Sequence, residues 1–132
     1  DKTTWIMLTV VIILCTTAFL LWPADAEVNH VDVAPPDTLT AEAVEGRVLF
    51  EAHCQKCHGS NGAGTDRGPP LVHVIYEPEH HSNESFYRAV ANGVTQHHWP
   101  YGNMPTLPGV KTEEVSKIIR YVREHQVSNG IK

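Results

Sequence analysis

The stretch FEAHCQKCHGSNG, residues 50–62, places two cysteines three positions apart and a histidine directly after the second. These residues are Cys54, Cys57 and His58. Two thiols and an imidazole at this spacing are compatible with a zinc site, with a disulfide or redox pair, and with a covalently attached haem. The remaining sequence has to discriminate between these sites.

Among these sites, the pattern favours haem. C-x-x-C-H is the attachment sequence of c-type haem. Thiols one helical turn apart can each add to a vinyl group of one porphyrin, and His58 then lies beneath the iron as its ligand. A zinc site would need a second ligand pair, and the chain has no second C-x-x-C. A thioredoxin-like pair would need a βαβ pattern, which the sequence lacks, and a structural disulfide would explain nothing else. We therefore predict one covalently bound haem c.

Two later motifs supply further candidates for this site. GNMPT puts Met104, one of two methionines in the chain, in a Pro/Gly loop where core packing explains it poorly. A thioether as sixth ligand of the iron would raise the reduction potential. GPPL puts Pro69 where its carbonyl can accept the second N–H of His58, as ligating imidazoles usually require. Trp99 and Tyr101 are candidates for packing on the haem edge or bonding a propionate, with core packing as the alternative.

Two histidine pairs, His80–His81 and His97–His98, raise the question of a second metal. Imidazole suits zinc or copper. The sequence favours the simpler interpretation of solvent-facing loop residues, or of one histidine bonding a haem propionate. Replacement of Met104 by His97 or His98 as axial ligand is a further alternative.

The N-terminal segment is apolar. WIMLTVVIILCTTAFLLW runs from Trp5 to Trp22 without a charge. Its length of roughly 27 Å as a helix matches a bilayer core, and tryptophan at both ends suits the headgroup regions. We expect residues 1–22 to form an uncleaved transmembrane anchor, because the apolar core of a signal peptide is shorter. Cys15 is expected to be a packing residue rather than a reactive thiol.

Charge and proline content set off the next segment. Residues 23–40 contain three prolines, four acidic residues and no Lys or Arg, which indicates an extended linker. The haem domain is then expected to cover residues 41–132. A net charge of −5 argues against nucleic acid as a partner.

The haem domain is predicted to be all-α. Helical periodicity indicates three helices, at Thr40–His53, Asn83–Asn92 and Thr112–Val127, with Thr40 and Thr112 as caps. On the first helix, Val44 and Val48 share one stripe, and Gly46 and Phe50 share another. Strand signals are poor. Three modest helices bury little apolar area, and a large hydrophobic cofactor at the centre would fill that deficit.

With its motifs in this order, the chain resembles the class I cytochrome c family over roughly residues 40–131. The matching features are Gly46 and Phe50 four apart, then CQKCHG, GPPL and NMP, and a last helix with Tyr121. The resemblance implies that the first and last helices cross closely at Gly46. It also implies that Phe50, Ile118 and Tyr121 pack across this crossing, and that the Pro69 carbonyl receives the hydrogen bond from His58.

More narrowly, the chain resembles small bacterial membrane-anchored monohaem cytochromes. This implies a one-electron carrier rather than an enzyme, working between redox complexes in the membrane bilayer. Such complexes are a quinol–cytochrome c reductase, a terminal oxidase or a photosynthetic reaction centre. Because haem is attached outside the cytoplasm, we expect the haem domain on the periplasmic side of the bacterial inner membrane. The alternatives are a fixed subunit of a multisubunit redox complex, and a haem enzyme or gas sensor with a labile sixth ligand.

Overall fold

The N-terminal helix stands apart in composition. The computed structural model describes residues 1–20 and 30–132. Helix α1, Lys2–Leu20, carries exposed apolar side chains such as Trp5 and Ile13. In this described part of the chain, no helix has both the length and the apolar character needed to cross a membrane. The predicted end of the apolar run at Trp22, and residues 23–29 of the predicted linker, lie outside the described residues.

Helix α2, Ala41–His53, begins as predicted. Thr40 is its N-cap, and the Thr40 hydroxyl accepts the backbone N–H of Ala43 at 3.3 Å. The buried face contains Ala43, Gly46 and Phe50. The stripe of Val44 and Val48 is exposed instead, so only one of the two predicted stripes contributes to the core.

Helix α5, Thr112–Ser128, starts differently from the prediction. The N-cap is Lys111, and Thr112 is already helical, so the predicted cap is wrong. The physical reason is a pair of hydrogen bonds. The Glu114 carboxylate accepts the Lys111 backbone N–H at 2.8 Å, and the Glu114 N–H donates to the Lys111 carbonyl at 3.0 Å. This satisfies the N-terminal end without a hydroxyl side chain.

The crossing of α2 and α5 forms the core. A Cβ added to Gly46 would lie 1.9 Å from the carbonyl oxygen of Lys117, so the two backbones touch there. Beside this point the rings of Phe50 and Tyr121 pack with centroids 5.3 Å apart. Both side chains are almost fully buried, and each contributes roughly 2–3 kcal/mol by removal from water.

The remaining helices are short. α3 spans Gln55–His58 and α4 spans Asn83–Asn92. Two single 3₁₀ turns lie between them, at Ser60–Gly62 and Val74–Tyr76. Within the described residues the only β-type pairing is one antiparallel bridge, between Val94 and Met104. The domain is therefore built from helices and loops.

The described end of the predicted linker is bound to the domain. The Val31 N–H donates to the Ala63 carbonyl at 2.9 Å. Ala34 exchanges two hydrogen bonds with the Asn129 side chain, at 3.0 and 2.8 Å. This segment thus bridges the turn after α3 and the end of α5.

Candidate haem site

A cavity of about 620 Å³ lies between α3, α4 and the loop that follows α4. Its volume is typical of ligand sites in proteins. All seven residues predicted from sequence line it, and they come from three separate stretches of chain: Cys54, Cys57, His58, Pro69, Trp99, Tyr101 and Met104.

The C-x-x-C-H motif folds as a single helical turn. Cys54 ends α2 and begins α3, and His58 is the last residue of α3. Cys54 and Cys57 are free thiols, so the disulfide alternative is not formed. Burial, and secondarily the neighbouring Cys57, raise the pKa of Cys54 to about 11. The Cys54 thiol is thus protonated at neutral pH, and the two thiols lie one turn apart on the cavity wall.

The His58 ring is fixed by a backbone carbonyl. Its Nδ1–H donates to the Pro69 oxygen at 2.9 Å, as predicted, which leaves Nε2 as the metal-binding atom. Burial lowers the pKa of His58 and the Pro69 carbonyl opposes this, so the neutral ligand form is favoured. Gly68 brings the proline segment close, because a Cβ there would lie 2.8 Å from the Cys57 carbonyl oxygen.

Met104 reaches the cavity on a loop that is held at its base. Val94 and Met104 exchange two backbone hydrogen bonds, both 3.0 Å long. Gly93 ends α4 with a positive φ of 72°, which turns the chain into this bridge. The thioether of Met104 is therefore presented from a defined backbone position.

Trp99 and Tyr76 form the aromatic part of the wall. The Trp99 ring packs edge-on against the His73 ring, with the two ring centroids 5.2 Å apart. Burial raises the pKa of Tyr76 to about 12, and Trp99 is near enough to oppose that rise. Even so, the Trp99 Nε1 atom is buried and makes no hydrogen bond of acceptable geometry in the described part of the chain.

These observations fit a haem c. A buried donor without a partner calls for an acceptor from outside the chain, and a haem propionate is such an acceptor. Two thiols, an oriented imidazole and a thioether line the same cavity. When bound, the haem supplies an iron that cycles between ferric and ferrous states.

Sequence reasoning missed part of this wall. Tyr76 lines the cavity from a 3₁₀ turn, and the only sequence signal was an aromatic residue in an apolar run after GPPL. The Val94–Met104 bridge had no strand signal because it is a single residue pair. His97 and His98 are exposed, as predicted, and His81 is partly buried. All three also line the cavity, which is compatible with the predicted alternative of a histidine that bonds a haem propionate.

Comparison with known proteins agrees with the site. The family model described as Cytochrome c matches residues 43–126, well over half of the chain. Neither the curated proteins nor the solved structures compared with this chain gave a match. The matched region contains the C-x-x-C-H helix, the Pro69 segment and the Met104 loop. The chain therefore belongs to the cytochrome c family, as a class I member that carries covalently bound haem c and transfers electrons.

Proposed function

We propose that this protein is a membrane-tethered electron carrier that exchanges single electrons with membrane redox complexes in a respiratory or photosynthetic chain. The observation that carries the proposal is the His58 imidazole, held by Pro69 in a cavity that Met104 also lines. If His58 and Met104 both bind the haem iron, no position on the iron would be open for a substrate. The protein then tunes the potential, and the redox chemistry is that of the cofactor.

The ligand role of Met104 is tested by carbon monoxide binding and by potentiometry. The ferrous wild-type protein is expected to resist carbon monoxide, whereas Met104→Ala should bind it rapidly and have a lower reduction potential. Met7→Ala is the matched control, because Met7 is the only other methionine and is exposed on α1. An unchanged potential in Met104→Ala would refute the ligand assignment. Rapid binding by the wild type would favour the haem enzyme or gas sensor.

The tether is proposed from α1 and the sequence that follows it. The described helix is apolar on all sides and exposes Trp5, Ile12 and Leu20. In the sequence the apolar run continues to Trp22. We place the haem domain on the periplasmic side of the bacterial inner membrane, since haem is attached there.

Fractionation tests the tether. Native membranes washed with high salt should retain the protein, and mild detergent should release it. Protease added to spheroplasts should digest the haem domain. Release by salt alone, or protection of the haem domain until the membrane is opened, would contradict the proposed topology.

The partners are proposed to be a quinol–cytochrome c reductase together with a terminal oxidase or a photosynthetic reaction centre. A specific contact also favours the alternative of a fixed subunit. The chain from Val31 to Ala34 is bound to the haem domain, which limits free movement of the domain. Native electrophoresis of detergent extracts distinguishes a free carrier from a fixed subunit, because a carrier migrates alone and a subunit co-migrates with a complex.

A further inference from the structure

Four histidines converge from the two ends of α4. The ring centroids of His80 and His98, and those of His81 and His98, are each 5.3 Å apart. His97 lies 4.3 Å from His98 and 6.2 Å from His81. One nitrogen from each of His80, His81 and His98 can be chosen so that all three lie within 4.8 Å of one another.

The spacing is close to that of a metal site. Zinc–imidazole bonds of about 2.1 Å place the nitrogens of neighbouring ligands roughly 3.5 Å apart. Each pair of nitrogens therefore has to close by about 1.3 Å at most, from the 4.8 Å limit. His80 and His98 are exposed, so rotation of their side chains can supply this movement.

Two of the rings already have the tautomer that metal binding requires. The Nδ1–H of His81 donates to the Ile75 carbonyl at 2.6 Å. The Nδ1–H of His97 donates to the Thr95 carbonyl at 2.8 Å. In both rings Nε2 is left as the lone-pair atom, and a backbone carbonyl fixes the ring in the way common to metal-ligating histidines.

The loop that carries His81 is anchored to the core. The Arg123 guanidinium on α5 donates to the backbone carbonyls of His81 and Tyr76. Gln126, which is buried on the same helix, donates to the Tyr76 carbonyl at 3.0 Å. The backbone at His81 is therefore held by residues of α5, as one fixed ligand of a preorganised site requires.

Ion pairing with carboxylates, a common structural role of histidine side chains, does not explain this cluster. In the described part of the chain, no carboxylate forms an ion pair with any of the four imidazoles. Burial and then the neighbouring imidazoles lower the pKa of His98, and burial is also the main cause of the lowered pKa of His81. Arg123 acts on His81 in the same direction. The lowered pKa favours the neutral, metal-binding form of His81 and of His98.

We propose that His80, His81 and His98, with His97 as an additional ligand, form a second metal site for Cu²⁺ or Zn²⁺ beside the haem cavity. Imidazole nitrogen is a preferred ligand of both ions, and the Irving–Williams order favours copper. His81, His97 and His98 line the haem cavity itself, so the second metal would lie against its wall.

The test uses the full-length haem-loaded protein in mild detergent, because His58 is then occupied by iron. After treatment with a chelator, CuSO₄ and ZnCl₂ are titrated separately by calorimetry. We expect one ion per chain, with nitrogen hyperfine structure in the paramagnetic resonance spectrum of the copper form. Tighter binding of copper assigns a copper site and tighter binding of zinc assigns a zinc site. Binding of neither at one per chain overturns the proposal.

Variants locate the site. His80→Asn and His98→Asn should each weaken binding at least about tenfold. His30→Asn is the control, because His30 is exposed and outside the cluster, and its affinity should equal that of the wild type. The haem absorption spectrum checks folding, and it should be unchanged in His80→Asn because His80 does not line the haem cavity. Wild-type affinity in a folded His80→Asn and a folded His98→Asn would refute the assignment.

Discussion

Replacing Gly46 by alanine adds one methyl group where α2 crosses α5. The new Cβ would lie 1.9 Å from the Lys117 carbonyl oxygen, whereas ordinary contact begins at 3.4 Å. Because the oxygen belongs to helix backbone, no side-chain rotation relieves the overlap. The two helices must separate by the difference, about 1.5 Å.

Two opposing energies set the size of the effect. Alanine is favoured over glycine inside a helix by about 1 kcal/mol. Overpacking a dense core costs about 1–3 kcal/mol and sometimes more. Separation by more than 1 Å also removes much of the dispersion attraction between Phe50 and Tyr121, so a cost of about 3–4 kcal/mol applies here. We expect Gly46→Ala to lower the free energy of unfolding by about 2–3 kcal/mol.

Guanidinium unfolding of the haem-loaded protein, followed by circular dichroism, measures this difference. Gly109→Ala is the matched control, because a Cβ at Gly109 would meet no atom within 4 Å. Its stability should stay within about 0.5 kcal/mol of the wild type. Equal stability of the two variants would refute the close backbone contact at Gly46.

Two further predictions concern hydrogen bonds of α5. Tyr121→Phe removes the hydroxyl that donates to Asn61 Oδ1 at 2.9 Å, and should lower the unfolding free energy by about 1 kcal/mol. An unchanged denaturation midpoint would contradict this bond. Burial acts to raise the pKa of Glu124, but hydrogen bonds from Thr40 together with the Arg120 guanidinium outweigh it and lower the pKa below 4.5. Ionised Glu124 therefore contributes its full stabilisation of the fold above about pH 4.5. This contribution is lost as the pH falls through the lower pKa of the folded state. Glu124→Gln should flatten the acid side of the stability–pH curve, whereas Glu79→Gln, at an exposed position, should not.

Local signals predicted the helices and the centre of the site. α4 has the predicted bounds because apolar periodicity and Gly93 define it fully. Cys54, Cys57 and His58 are adjacent in sequence, so their juxtaposition follows from one helical turn. The wrong cap predicted for α5 also has a local cause. Lys111 takes the N-cap position instead of Thr112, because the carboxylate of Glu114, three residues after Lys111, accepts its N–H.

Contacts between distant parts of the chain were not predictable. Ala34 binds Asn129 across 95 residues, and no periodicity encodes such a pair. The convergence of His80 with His98 depends on the path of two loops around α4. The unpaired nitrogen of Trp99 likewise depends on how the ring packs against His73 and beside Tyr76.

In the proposed tethered protein, the hydrogen bond between Val31 and Ala63 shortens the stretch of chain between α1 and its first contact with the haem domain. From Leu20 to Thr40 a fully extended chain would span at most about 70 Å. From Leu20 to Val31 it spans at most about 40 Å. The volume that the haem domain can sample scales with the cube of this reach, so the attachment concentrates the domain near its partners by about fivefold. The hydrogen bonds of Val31 and Ala34 to the haem domain would thereby set how often the domain meets a membrane complex.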